Sequence, residues 1–135
     1  MRYRLASLGA AVAVAGSVIA CAPAAASAQS DAGASAAPPR QCEPLKNGTV
    51  CITLLQSPQR IRVTYNKTGG SAVTARVGYR SNQTSTVKWD STWYTVFAGQ
   101  SITRTWNVSY PCDRKWIGAL QINDGRTFET AGADC

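Results

Sequence analysis

The stretch RIRVTYNKTGGSAVTARVGYR, residues 60–80, decides the fold because apolar and polar side chains alternate along most of it. Alternation with a period of two is typical of a β-strand with one buried face and one solvated face. We therefore predict two strands, at residues 60–66 and 72–80, joined by residues 67–71. The apolar faces of these strands consist of Ile61, Val63, Tyr65, Val73, Ala75, Val77 and Tyr79.

The linker between the two strands predicts a β-hairpin. A two-residue turn at Gly69 and Gly70 would place Val63 opposite Arg76, so that apolar and charged side chains would share a face. A three-residue loop with a glycine in the left-handed conformation returns Val63 to an apolar neighbour. The outer face of this hairpin would carry four arginines, which we expect either to contact a partner or to remain solvated. They are Arg60, Arg62, Arg76 and Arg80.

Five further segments read as strands, at residues 49–55, 87–97, 101–109, 115–122 and 126–130. The segment 101–109 has a fully polar face of alternate serine, threonine and asparagine residues. Its other face holds Ile102, Trp106 and Val108, with Arg104 as the one charged member. Seven short strands with turns every eight to twelve residues predict a single antiparallel β-sandwich of immunoglobulin-like architecture, an all-β domain at residues 42–135.

The first 41 residues predict export. Residues 1–28 read as a signal peptide, with a basic start, an apolar stretch and a small-x-small cleavage site that ends at Ala28. The alternative is a lipoprotein, because VIAC at residues 18–21 resembles a bacterial lipobox and would place a lipid on Cys21. The protein is then either secreted or lipid-anchored on the outer face of the cell membrane. Residues 29–41 have no apolar periodicity and predict a disordered arm or linker, which could fold onto a partner's groove or edge.

The cysteine count fits an exported domain. Four cysteines remain once Cys21 is set aside, and they allow three disulfide connectivities. Sequential pairing is the easiest to close, so we favour Cys42–Cys51 and Cys112–Cys135. A structural zinc site is not expected, because the chain has no histidine and no Cys-x-x-Cys pair.

Composition argues against an enzyme. The absence of histidine excludes Ser-His-Asp and Cys-His constellations, and no glycine-rich phosphate loop lies between a strand and a helix. We expect no catalytic residue, no metal and no cofactor. Removal of Arg2 and Arg4 with the leader lowers the net charge from +7 to +5. That balance suits acidic partners or anionic wall polymers, but the scattered basic residues do not predict nucleic-acid binding.

Four tryptophans lie in the domain. The period-two spacing of Trp106 and Trp116 with apolar residues places them in the core. For Trp89 and Trp93 the pattern leaves core and surface open. On the surface these two rings could stack on sugar rings, together with Asp90 and Tyr94.

Two family resemblances bear on function. The segment 95–110, TVFAGQSITRTWNVSY, resembles the "sGQxxxxxWN" stretch of family 2 carbohydrate-binding modules, which are secreted bacterial β-sandwiches closed by a terminal disulfide. The size, the leader and two short-range disulfides resemble the small secreted α-amylase inhibitors of actinobacteria, and the Ala-rich leader is of that bacterial type. Those inhibitors carry a Trp-Arg-Tyr reactive turn, and this sequence contains no Trp-Arg-Tyr.

The sequence as a whole favours a secreted, non-catalytic module that binds another extracellular protein, as an adapter or accessory subunit. An acidic partner would suit the face that carries the four arginines. The alternative is a module that binds carbohydrate or a cell-wall polymer, which the first resemblance implies. An enzyme inhibitor is the third reading. No nucleic-acid partner is expected, and a membrane contact is expected only if Cys21 is lipidated.

Overall fold

Nine β-strands make up most of residues 37–135, the part of the chain that the computed structural model describes. They are β1 (Arg40–Leu45), β2 (Gly48–Gln56), β3 (Gln59–Lys67), β4 (Val73–Ser81), β5 (Lys88–Trp89), β6 (Tyr94–Val96), β7 (Ser101–Asn107), β8 (Trp116–Ile122) and β9 (Thr127–Glu129). Sheet A has the order β1–β2–β3–β7, and sheet B has the order β5–β4–β8–β9 with β6 also paired to β4. All pairings are antiparallel. No helix in residues 37–135 is long and apolar enough to cross a membrane.

The predicted all-β sandwich is confirmed. Each of the seven segments read as strands corresponds to observed strands, and residues 87–97 contain both β5 and β6. The inner faces of the two sheets supply the core, in which alternate residues of β2, β3 and β4 are buried. These are Val50, Ile52, Leu54, Ile61, Val63, Tyr65, Ala75, Val77 and Tyr79. Their period of two therefore marks the faces that meet between the sheets.

Aromatic residues complete the core. Trp116 is buried and Trp106 is half-buried, as their spacing predicts. The ring of Tyr79 lies 5.0 Å from that of Trp106, and the ring of Tyr110 lies 6.4 Å from that of Trp116. The buried Tyr110 hydroxyl donates a hydrogen bond of 2.8 Å to the Leu55 carbonyl, as a buried phenol requires.

The predicted hairpin between β3 and β4 is wrong. β3 pairs with β2 and β7 in sheet A, whereas β4 pairs with β5, β6 and β8 in sheet B. The connection 68–72 therefore carries the chain from one sheet to the other. Gly70 has φ 73°, so a left-handed glycine is present as predicted, but it serves a crossover. The two apolar faces meet across the sandwich instead of lying side by side, which removes the conflict between Val63 and Arg76.

The domain begins before Cys42. Arg40 and Gln41 belong to β1, where they pair with Thr53 and Ile52. The Pro39 carbonyl also accepts a hydrogen bond of 2.9 Å from the Leu54 amide. The predicted disordered arm at residues 29–41 is therefore wrong at its end. Residues 1–36, with the predicted signal peptide and Cys21, lie outside the described residues.

Both predicted disulfides are confirmed. Cys42–Cys51 joins directly opposed residues of β1 and β2, and Cys112–Cys135 ties the end of the chain to the segment between β7 and β8. Disulfides persist in oxidising surroundings outside the cytoplasm, and they stabilise a domain of this size.

Candidate functional site

The outer face of sheet B carries a stack of one arginine and two tryptophans. The guanidinium carbon of Arg76, on β4, lies 5.1 Å from the ring centre of Trp89 and 4.6 Å from that of Trp93. Its Nε donates a hydrogen bond of 2.9 Å to Oε1 of Gln121, on β8. We call these four residues the platform. Cation–π contacts of this kind fix an otherwise flexible arginine in one orientation.

Gly78 makes room for the platform. It pairs with Trp89 across the β4–β5 ladder, and a Cβ atom at this position would lie 2.7 Å from Cε3 of Trp89. It would also lie 2.8 Å from the Lys88 carbonyl oxygen. The indole can therefore lie against the β4 backbone only because residue 78 has no side chain.

Asp90 holds the loop that presents Trp93. This carboxylate is 5% exposed. Its Oδ2 accepts from the Tyr94 hydroxyl at 3.1 Å, and its Oδ1 accepts from the Thr92 amide at 3.4 Å. The same Oδ2 forms an ion pair with Nε of Arg104, at 2.7 Å. The buried charge is thus paired and hydrogen-bonded, as burial of a carboxylate requires. The turn that follows it places Trp93 immediately before β6, with 41% of the residue exposed.

The contacts of Arg104 explain why a charged residue occurs in the inward-facing row of β7. It lies opposite Val63 in sheet A, and its side chain reaches Asp90 beside sheet B. The ion pair therefore joins the two sheets at the edge formed by β7 and by β5 with β6. The other face of β7 is exposed at Ser101, Thr103, Thr105 and Asn107, as predicted.

The four predicted partner-binding arginines do not share one face. Arg60 and Arg62 lie on β3 in sheet A, and Arg76 and Arg80 lie on β4 in sheet B. Because the inner faces of these strands meet in the core, their outer faces point away from each other. Arg62 is exposed, and its Nε lies 3.4 Å from Oγ1 of Thr105. Arg60 is half-buried, and its Nε has no hydrogen-bond partner among the described residues.

Arg80 forms a clamp within sheet B. Its Nε and Nη2 donate to the two carboxylate oxygens of Glu129 at 2.7 and 2.6 Å. Its Nη1 donates to the carbonyls of Ser81 and Thr84. The hydrogen bond from Arg80 lowers the pKa of Glu129 below its ordinary value, although partial burial acts in the opposite direction. This guanidinium is committed to contacts within the domain.

Arg76 retains donors for a partner. Among the hydrogen bonds within residues 37–135, it donates only through Nε, to Gln121. A guanidinium has five N–H donors. The terminal nitrogens of Arg76 can therefore engage an acceptor on another molecule while the two rings hold the side chain.

The structure brings together the four residues considered for sugar binding, but it divides their roles. Trp89 and Trp93 stack on Arg76 at the outer face. Asp90 and the half-buried Tyr94 bond to each other below that face. The oxygens of Asp90 are occupied by the protein itself, so this carboxylate positions the platform from beneath.

Sequence reasoning missed Gln121 as a platform residue. Apolar and polar residues alternate poorly in the segment WIGALQI, so the sequence did not indicate which of its side chains lie on the outer face of the sheet. The strand register shows the outward position, because Gln121 lies directly opposite Arg76.

Metal binding has no support in residues 37–135, which contain no group of three His, Cys, Asp or Glu side chains able to hold an ion. Comparisons with family models, curated proteins and solved structures found no match.

Proposed function

We propose that this chain is a secreted, non-catalytic module that binds another protein through the platform on sheet B. The observation that carries the proposal is the Arg76 guanidinium in cation–π contact with both Trp89 and Trp93, with Trp93 substantially exposed. Tryptophan and arginine are the residues most enriched among binding hot spots, and rigid side chains lose little entropy on association.

The chemistry of the platform favours a partner with an acidic group beside an apolar one. The free terminal nitrogens of Arg76 suit a carboxylate, which a guanidinium binds with two parallel hydrogen bonds. The exposed indole of Trp93 suits an apolar side chain. The ion-paired Arg80 and Glu129 lie on the same sheet and supply a polar rim, the usual surroundings of an interface core.

The test compares variants on opposite faces of the sandwich. Wild type, W93A and R76S are immobilised beside R62S, which removes an exposed arginine from sheet A. Proteins captured from culture supernatant of the producing cells are quantified by mass spectrometry. We expect a partner that wild type and R62S retain equally, and that W93A binds about 30-fold more weakly, as loss of a hot spot of about 2 kcal/mol requires. Equal recovery on W93A and R62S would contradict the proposal.

Carbohydrate binding is the second candidate, because an exposed indole such as Trp93 can stack on a sugar ring. Two observations weigh against it: the Arg76 guanidinium lies over both rings, and Asp90 is occupied within the protein. Sedimentation with insoluble polysaccharides distinguishes the candidates. Depletion of wild type and R62S, but not of W93A, would replace the protein-binding proposal with this one.

Export belongs to the same proposal, since the two disulfides fit an oxidising compartment. We infer cleavage after Ala28, with lipidation of Cys21 as the alternative. The mass of the N-terminal peptide of the mature protein decides between Gln29 and an acylated Cys21. A peptide that begins at Met1 would exclude both.

A further inference from the structure

A cleft opens at the end of the sandwich where the chain passes from β3 to β4. It has a volume of about 430 Å³, within the range of small-molecule sites. Its apolar walls come from both sheets: Leu45, Tyr65, Val73, Ile122 and Phe128. It is separate from the platform, since none of the platform residues lines it.

The cleft contains a buried lysine. Lys67 continues the inward row of β3 after Ile61, Val63 and Tyr65, and it is 1% exposed. Its Nζ donates to the Gly69 carbonyl, and none of the ion pairs within residues 37–135 includes it. An ammonium has three donors, and burial of a charge without a counter-charge is costly. Lys67 therefore lines an apolar cleft without an anionic partner among the described residues.

The other charges around the cleft leave it positive. Lys46 and Arg126 also line it, and Glu43 is the acidic member. Arg126 is paired with Asp124 at 2.7 Å, and Lys46 is exposed. The buried Lys67 is thus the cation least screened by water, because a charge in a low-dielectric environment acts more strongly than one on the surface.

We propose that this cleft binds a small amphipathic acid, with the acid group near Lys67 and the apolar body against the walls from both sheets. The anion would supply the counter-charge that the domain itself does not. The proposal is independent of the platform, and it survives or fails without it.

Octanoate and octanol form a matched pair of probes, because they share an alkyl chain and differ in charge. Titration followed by ¹⁵N–¹H NMR on the intact domain should shift the amides around Val73, Ile122 and Phe128. We expect octanoate to bind about tenfold or more tightly than octanol, the difference that one charge-assisted contact of about 1.4 kcal/mol gives. Equal affinities, or no shift at these residues at about 10 mM octanoate, would overturn the proposal.

Two variants identify the charge that determines the preference for octanoate. K67M keeps an unbranched side chain, removes the ammonium, and should abolish the preference for octanoate without weakening octanol binding. K46A is the exposed control and should change octanoate affinity by less than about twofold, since surface charges act weakly. An unchanged preference in K67M overturns the proposal.

Glu43 provides a test that does not touch the core. E43Q removes the one acidic side chain of the cleft and should tighten octanoate binding about two- to threefold at low salt, with octanol unchanged. This variant decides the matter even if K67M fails to fold, because octanoate affinity that is the same or lower in E43Q contradicts a cationic cleft. W93A, at a residue that does not line the cleft, should bind octanoate like the wild type.

Discussion

Asp90 shows how one buried residue organises an exposed site. Its oxygens accept hydrogen bonds from Tyr94 and Thr92 and form an ion pair with Arg104, and its own amide donates to the Val77 carbonyl at 2.8 Å. The carboxylate thus joins the loop 90–93, β6 and β7, and the backbone amide of the same residue attaches the loop to β4. Trp93 follows three residues later, so its orientation depends on that anchor.

Replacement of Asp90 by alanine should therefore destabilise the domain. We expect the free energy of unfolding to fall by about 1–3 kcal/mol, because the Tyr94 hydroxyl loses its acceptor in a partly buried position. Arg104 adds less to the loss, since 48% of its side chain is exposed and water can solvate it. Urea denaturation measures the change. S91A, at an exposed neighbour, should stay within about 0.5 kcal/mol of the wild type, and equal stability of D90A and S91A would contradict the anchoring role.

For single residues, the sequence indicated which side chains form the candidate site better than it indicated which side chains contact each other. Arg104 could be recognised as the charged member of an inward row, and Trp89, Asp90, Trp93 and Tyr94 could be grouped as a candidate site. The ion pair between Arg104 and Asp90 could not be foreseen, because it depends on how two sheets are aligned. Period-two patterns carry no information about that alignment.

Among the elements, β4 connects the core to both features of the outer face. Ala75, Val77 and Tyr79 face the core, whereas Arg76 enters the platform and Arg80 forms the clamp. The clamp reaches from β4 across β8 to β9, since β8 lies between them. β9 is a three-residue edge strand, and the ion pair helps to hold it.

The clamp predicts a pH-dependent contribution to stability. The pKa of Glu129 is lowered by Arg80 in the folded state, so the unfolded chain binds the proton more readily. The stabilisation is then full above the ordinary glutamate range and is lost as the pH falls through that range to the lowered pKa. We expect E129Q to be less stable than the wild type by about 1 kcal/mol at pH 7, a value for a partly exposed pair.

Urea denaturation at pH 7 and pH 3 checks the sign, because the difference between wild type and E129Q should shrink at the lower pH. Asp113 and Asp124 also have lowered pKa values, owing to Arg114 and Arg126, but their effect is common to both proteins and cancels. D134N removes an exposed pair with Lys115, at 3.8 Å, and should change stability by less than about 0.5 kcal/mol. A difference between wild type and E129Q that grows in acid would refute this assignment.

Strand positions were largely predictable, but strand partners were not. The pattern of β3 and β4 is the same whether two strands lie side by side or face each other across a sandwich, so the hairpin prediction failed. β1 was missed because RQCEPL has no apolar alternation and contains a proline. Its pairing with β2 places Cys42 opposite Cys51, so the correct disulfide prediction already implied that these segments are adjacent.

For the whole molecule, the two sheets give the domain two unlike outer surfaces. The outer face of sheet A presents hydroxyl and amide side chains together with Arg60 and Arg62, and Thr64 and Thr103 are in hydrogen-bond contact across β3 and β7. Sheet B presents the tryptophan–arginine platform. The described strands of sheet A place no tryptophan on this outer face, since Trp106 lies beside the inward-facing Ile61. The outer face of sheet B therefore differs by its two tryptophans, a residue type enriched among hot spots. The asymmetry is what makes R62S a suitable control for R76S.

The two disulfides should contribute unequally to the stability of this sandwich. In the chain-entropy account, a cross-link stabilises by restricting the unfolded chain, and the restriction grows with the loop that it closes. Cys112–Cys135 spans 23 residues and Cys42–Cys51 spans nine. We expect the free energy of unfolding to fall by about 3 kcal/mol in C112A/C135A, a loss about 0.8 kcal/mol larger than that in C42A. C42A leaves Cys51 in place because that residue is only 2% exposed. Guanidinium denaturation of both variants measures the difference. A larger loss in C42A would show that the short disulfide acts through the folded β1–β2 pair rather than through the unfolded chain.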